Sequence, residues 1–172
     1  MNKQSMSSMK SVNPEVRLVE GYSSEWIDQI ISLHNKTEMK RSESKKELIN
    51  DAFQASFFVV TAWFDQSLIA CGRMISDGKM YSAIFDVVVD PEFQKIGLGR
   101  KIIDKLISKV PHTCIHLTST FGNEPFYQKI GFKRHKTALA LYPGDMTNSP
   151  YLEQTEIVNN DSSDRKVGEG SN

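Results

Sequence analysis

The run Val87-Val88-Val89 is stopped by Asp90-Pro91, and a helical stripe of Leu98, Ile102, Ile103, Leu106 and Ile107 begins shortly after it. β-Branched residues favour a pleated strand, and proline cannot donate to a central ladder, so the strand ends at this point. The stripe repeats at spacings of three and four, with Lys101, Asp104, Lys105 and Lys109 on the other face, which predicts an amphipathic helix over 98–110 ended by Pro111. The segment Gln94-Lys95-Ile96-Gly97-Leu98-Gly99-Arg100 must therefore carry a strand directly into a helix. A strand that leaves through a helix returns parallel to itself, so the chain needs a sheet with a right-handed crossover.

A helix N-terminus presents unpaired N–H groups and the positive end of the helix dipole. Glycine at 97 and 99 removes side chains from that end, so a diphosphate can approach the backbone. Lys95 and Arg100 add positive charge, and Gln94 either braces the loop or donates to a phosphate. A dinucleotide fingerprint would need glycine at 102, where Ile102 stands, and a P-loop would need a longer glycine spacing followed by lysine. A Gly-x-Gly pair by itself also fits a tight turn with no ligand.

The remaining punctuation is regular. Val16 to Val19 begins in β-rich sequence, Ser23 or Ser24 fits the N-cap of a helix bearing Trp26, Ile27, Ile30, Ile31 and His34, and Ser44 with Glu47 fits a capping box for a second helix. Phe57 to Phe64, Ser67 to Ile75 and Tyr81 to Val89 read as strands joined at Asp65-Gln66-Ser67 and Asp77-Gly78. Cys114 to Thr118 reads as a strand, Glu124 to Lys129 as a short helix closed by Gly131, and Phe132 to Leu141 as a last strand. This order predicts an α+β fold, an antiparallel meander followed by parallel crossover strands, flanked by helices. The domain is expected over 15–142, with a disordered leader at 1–14 and an extension at 143–172 that is largely disordered after about 158.

Composition narrows the partners. Lys and Arg together number 21, as do Asp and Glu, so no global field draws the 172-residue chain to nucleic acid. No apolar run approaches the roughly 20 residues that span a bilayer. Cys71 and Cys114 both sit in apolar runs, which favours a reducing, cytoplasmic setting over a disulfide framework. Nothing calls for a metal, and the oligomeric state is left open, a homodimer included.

Two phrases then carry a resemblance. Val87-Val88-Val89-Asp90-Pro91-Glu92-Phe93-Gln94-Lys95-Ile96-Gly97-Leu98-Gly99-Arg100 resembles the acetyl-CoA motif of the GNAT superfamily, the Gcn5-related N-acetyltransferases. Glu124-Pro125-Phe126-Tyr127-Gln128-Lys129-Ile130-Gly131-Phe132 resembles its second signature. The resemblance covers roughly residues 16–142. Within the superfamily, Ile84 to Pro91 and Phe126 to Phe132 are similar to the plant plastid and cyanobacterial serotonin-type amine N-acetyltransferases.

The resemblance implies that acetyl-CoA is the acyl donor. Main-chain groups of Val87, Val88 and Val89 would pair with its pantetheine arm in a gap between splayed strands, and Gln94, Lys95, Ile96, Gly97, Leu98, Gly99 and Arg100 would cradle the pyrophosphate. Tyr127 matches the tyrosine that protonates the departing thiol, or else packs the core. Asn123 caps the last helix or touches the cofactor. Asp86 shares a face with Val88 by the period-two rule, and either deprotonates the amine through water, holds its ammonium, or braces the splayed strands. His116 has a suitable ordinary pKa, although a lone strand histidine is more often structural.

Trp26, His34, Met39, Phe57, Phe58 and Tyr81 are candidates for an aromatic acceptor wall, although most of them are expected to be ordinary core. The mixed charge of Lys36 to Lys46 argues against a strongly anionic acceptor. The leading expectation is acetyl transfer to a primary amine of a small molecule by direct attack in a ternary complex. A protein lysine or N-terminal acetyltransferase and a non-catalytic acetyl-CoA-binding module are the alternatives.

Overall fold

The computed structural model describes residues 15–153 in two units, which meet in sequence after Phe132. In the first unit, strands β1 (Arg17–Glu20), β2 (Phe58–Phe64), β3 (Ser67–Ser76), β4 (Tyr81–Val89) and β5 (Cys114–Leu117) form one sheet in sequence order. The first four strands are antiparallel, and β5 pairs parallel to β4. Helix α3 (Leu98–Ile107) is the crossover between β4 and β5. Helices α1 (Ile27–Asn35) and α2 (Lys46–Gln54) precede the meander, and α4 (Glu124–Ile130) follows β5.

Two clusters fill the two faces of the sheet. Leu98, Ile102, Ile103 and Leu106 of α3 pack with Val60, Ile69, Met74 and Ile84, whereas Ile30, Leu33 and Phe53 of α1 and α2 pack with Val59, Trp63, Cys71 and Val88. The hairpin between β3 and β4 is locked by the Asp77 carboxylate, whose Oδ1 accepts the N–H groups of Lys79, Met80 and Tyr81.

Gly72 lies in β3 where α3 comes closest. A Cβ at that position would stand 2.7 Å from Ile102 Cγ2 and 3.2 Å from Leu106 Cδ1. A branched side chain there must push the helix off the sheet, and such overpacking costs about 1–3 kcal/mol. Gly72→Val is therefore expected to lower unfolding stability by at least that amount in urea; an unchanged midpoint would show that α3 can yield without loss.

Two local expectations are corrected. Ser44 does not open α2: Ser42 caps a 3-10 turn over Glu43–Lys45, and the α-helix starts at Lys46. Among the described residues no strand follows β5, so Phe132 to Leu141 does not form the expected last strand. Phe132 closes the first unit, and in the second unit Lys133, Arg134, His135 and Lys136 bring contiguous basic side chains. The Thr137 N–H is taken locally by His135 Nδ1 at 3.3 Å. Leu139 and Leu141 are 99% and 97% exposed, so no buried face supports pairing. Among the described residues of that unit the one helical element is a 3-10 turn, Gly144–Asn148. The expected leader at 1–14 and the tail after about 158 lie outside the described residues.

Candidate active site

The site is built around an irregularity in β4. Cys71 pairs with Val88 but Arg73 pairs with Phe85, so β4 carries one residue more than β3 across this interval. Asp86 takes up the surplus with a left-handed backbone, φ 52°. Such a bulge bends the strand and re-aims its side chains. Ile84, Val87 and Val89 pack on the α3 side, while Val88 joins the cluster under α1 and α2.

Pairing with β5 stops at the same place. Tyr81 to Ile84 are in register with Cys114 to Leu117, and β5 ends at Leu117. The backbone of Val87, Val88 and Val89 thus runs beyond the end of its parallel neighbour.

The glycine loop follows at the end of this edge. Asp90 Oδ1 accepts from Glu92 N–H at 3.1 Å and starts a 3-10 turn at Pro91–Phe93. Lys95 and Gly97 both adopt left-handed φ, 65° and 84°, and Gly97 is the residue from which α3 begins. Nothing lies within 4 Å of a Cβ built on Gly97, so the space before the helix end is open. A Cβ on Gly99 would meet Phe126 Cζ at 3.4 Å, so Gly99 lets α4 sit close. This geometry fits a diphosphate against main-chain N–H groups. Gln94 braces: its Nε2 donates to the Val89 carbonyl at 3.1 Å. Arg100 is paired with Asp104 at 2.7 Å, and the Lys95 and Ile96 side chains are exposed.

Tyr127 stands in the first turns of α4. Its ring makes edge contacts with Phe126 and Phe132 at centroid distances of 5.0 and 6.0 Å. Burial pushes the phenol above its ordinary value, which keeps it protonated at neutral pH. The helix ends where Gly131, at φ 113°, turns back and Phe132 N–H donates to the Tyr127 carbonyl at 3.1 Å. Asn123 caps no helix with its side chain; its Nδ2 donates to Thr120 Oγ1 at 2.7 Å. His116 is exposed on β5.

The surroundings of Asp86 favour the brace over the base. Oδ2 accepts from Arg73 Nε at 2.5 Å, and Oδ1 accepts from the Arg41 guanidinium. His34 is fully buried, with Nδ1 2.8 Å from the Ile30 carbonyl and Nε2 3.4 Å from Asp86 Oδ1. A carbonyl only accepts, so Nδ1 carries the hydrogen. Burial by itself would raise the Asp86 carboxyl, but His34, Arg41 and Arg73 outweigh it and hold the group well below the usual carboxylate range. A carboxylate so held is a poor proton acceptor, and both of its oxygens are engaged.

Because its folded pKa is depressed, Asp86 contributes stability that is fully present above its unfolded pKa of about 3.9 and is lost as pH falls through the lower folded value. Asp86→Asn should cost on the order of 3–5 kcal/mol, since it leaves Arg73 buried without its counter-charge. It should also flatten the acid limb of the stability–pH curve; a variant as stable as the parent but inactive would restore the base reading.

The proposed aromatic wall is dispersed. Trp26 stacks edge-on with Trp63 at 5.3 Å, His34 is interior, Met39 packs against the α1–α2 cluster, and Phe58 lies under Lys109. Phe57 and Tyr81 are the exposed members. The residues that sequence reasoning missed are Arg41 and Arg73. Neither stands in a recognisable phrase, and the opposed signal was only that Asp86 is the one carboxylate in β4.

A mixed sheet whose parallel strand stops short of Val87, with a glycine loop at the start of its crossover helix, is the class of fold the chain presents. The profile described as the acetyltransferase (GNAT) family matches residues 24–132, and the chain belongs to that family of N-acetyltransferases. The GCN5-related N-acetyltransferase 2, chloroplastic, of Arabidopsis thaliana is 36% identical over 72 residues, which are 40% of this chain and 28% of that protein. A GNAT-family acetyltransferase from Streptococcus pneumoniae superposes with a TM-score of 0.65 at 15% identity, over 76% of this chain and 99% of the other. An acetyltransferase from Clostridium acetobutylicum solved with acetyl-CoA gives 0.61 at 15% identity, over 74% and 96%. Among the described residues no helix is long and apolar enough to cross a membrane. Both cysteines are free thiols, Cys71 buried and Cys114 exposed.

Proposed function

We propose that the protein transfers an acetyl group from acetyl-CoA to a primary amine of a small molecule, by direct attack with both substrates bound. The observation that carries this reading is the end of pairing with β5 at Ile84, which leaves Val87 to Val89 beside the Gly97 loop without a parallel neighbour. Acetyl-CoA would supply an activated thioester. The N–H groups at Lys95 to Arg100 would hold its diphosphate, and main-chain groups of Val87, Val88 and Val89 would align the pantetheine arm. One N–H on that edge would polarise the reacting carbonyl.

Tyr127 holds a proton at its phenol oxygen for the sulfur that leaves. Asp86 is assigned the brace that fixes the bulge. The amine proton passes to water on the acceptor side. A reducing compartment is proposed on the free thiols, and the plastid name of a relative makes an organelle the competing location.

An amine panel with acetyl-CoA, read by release of free CoA thiol, tests the reading. Turnover on at least one small primary amine is expected. Turnover confined to peptides would favour a protein acetyltransferase, and CoA binding without turnover on any amine would favour a non-catalytic module.

A further inference from the structure

Asp86 is one carboxylate shared by two guanidiniums. Arg73 and Arg41 each take one of its oxygens, and among the described residues no other acidic side chain pairs with either. The neighbouring Asp90 is already matched by Lys36 at 2.6 Å. The cluster therefore carries surplus positive charge one residue before the edge assigned to the thioester.

This surplus is held in a built setting. Arg73 is only 14% exposed and lies over the rings of Phe53 and Phe85, with centroid distances of 5.6 and 5.2 Å. Its Nη1 is 3.5 Å from Ser56 Oγ, and Ser56 lines a cleft with Phe53 and Phe57. Arg41 is 37% exposed, and its N–H donates to Asn35 Oδ1 at 2.8 Å, which fixes the loop that presents it. A guanidinium spends one edge on Asp86 and keeps further donors for a second planar anion.

We propose that the acceptor is an amine that also carries a carboxylate, and that Arg41, backed by Arg73, holds this group while the amine faces the Val87 edge. The inference rests on the acceptor side proposed above, and it reverses the expectation drawn from the mixed charge of Lys36 to Lys46. That expectation counted charges along the chain, whereas the fold brings Arg73 from β3 to Arg41.

The test uses two matched pairs, benzylamine with 4-(aminomethyl)benzoate and 2-phenylethylamine with phenylalanine. Binding to the full chain saturated with CoA is measured by calorimetry, independently of turnover. The acid of at least one pair is expected to bind at least tenfold more tightly than its uncharged partner. Arg41→Gln should erase that preference and Arg41→Lys should keep part of it, with unchanged CoA affinity as the control for folding. Equal or weaker binding of both acids, or a preference that survives Arg41→Gln, overturns the proposal. Tight, Arg41-dependent acid binding without any acetyl transfer keeps the carboxylate site and counts against the small-amine transfer proposed above instead.

Discussion

Gly97→Asp should remove measurable binding of CoA, a loss of more than about a hundredfold in affinity. Two effects add at this position. Gly97 has φ 84°, and a left-handed conformation costs a residue with a Cβ about 1–2 kcal/mol. The carboxylate would also point into the open space before α3, where the proposed diphosphate sits, and like charges brought together cost several kcal/mol. Gly97→Ala separates the two, because it adds only the strain and should weaken binding by about tenfold or less. Titration calorimetry with CoA reads both variants. Affinity within threefold of the parent in Gly97→Asp would remove the phosphate loop from the account.

The second large effect is expected at Tyr127. Replacing it with phenylalanine deletes a hydroxyl and preserves the ring that packs on Phe126 and Phe132. General acid catalysis contributes typically 10²- to 10⁴-fold, so turnover should fall by about a hundredfold or more while CoA affinity changes little. Because burial raises the phenol, the parent should keep its rate well into the alkaline range, and the basic limb of the profile should vanish in the variant. An unaltered rate would leave Tyr127 as a packing residue, and the departing thiolate would then leave unprotonated.

Much of this architecture is legible in short-range chemistry. Asp77-Gly78 marks the β3–β4 turn, Asp90-Pro91 the end of β4, and Gly131 the end of α4, because each acts on the backbone within a few residues. The loop proposed for the donor is a local matter for the same reason: Gly97 and Gly99 are requirements of a turn into a helix. The cluster proposed for the acceptor is not local. Arg41, Arg73, His34 and Asp86 come from a loop, two strands and a helix, and only the tertiary fold brings them together.

The period-two rule placed Asp86 with Val88 correctly. It gave no sign that Ile84 faces the other way, since a bulge inserts a residue without a distinctive sequence mark. Phe132 to Leu141 failed as a strand because, past Phe132, a run of basic residues and exposed leucines supplies neither a partner nor a buried face.

The order in which the strands pair has a kinetic consequence. β2, β3 and β4 meet across tight turns, whereas β4 and β5 meet only after the chain from Asp90 to Thr113 has closed through α3. Closing a longer segment costs more entropy before any contact repays it, and non-local pairings form more slowly. The meander can therefore be complete while the splayed edge still lacks its far wall. During synthesis the Gly97 loop leaves the ribosome before Cys114 to Leu117 do, so the cleft proposed for the donor is among the last parts of the domain to mature.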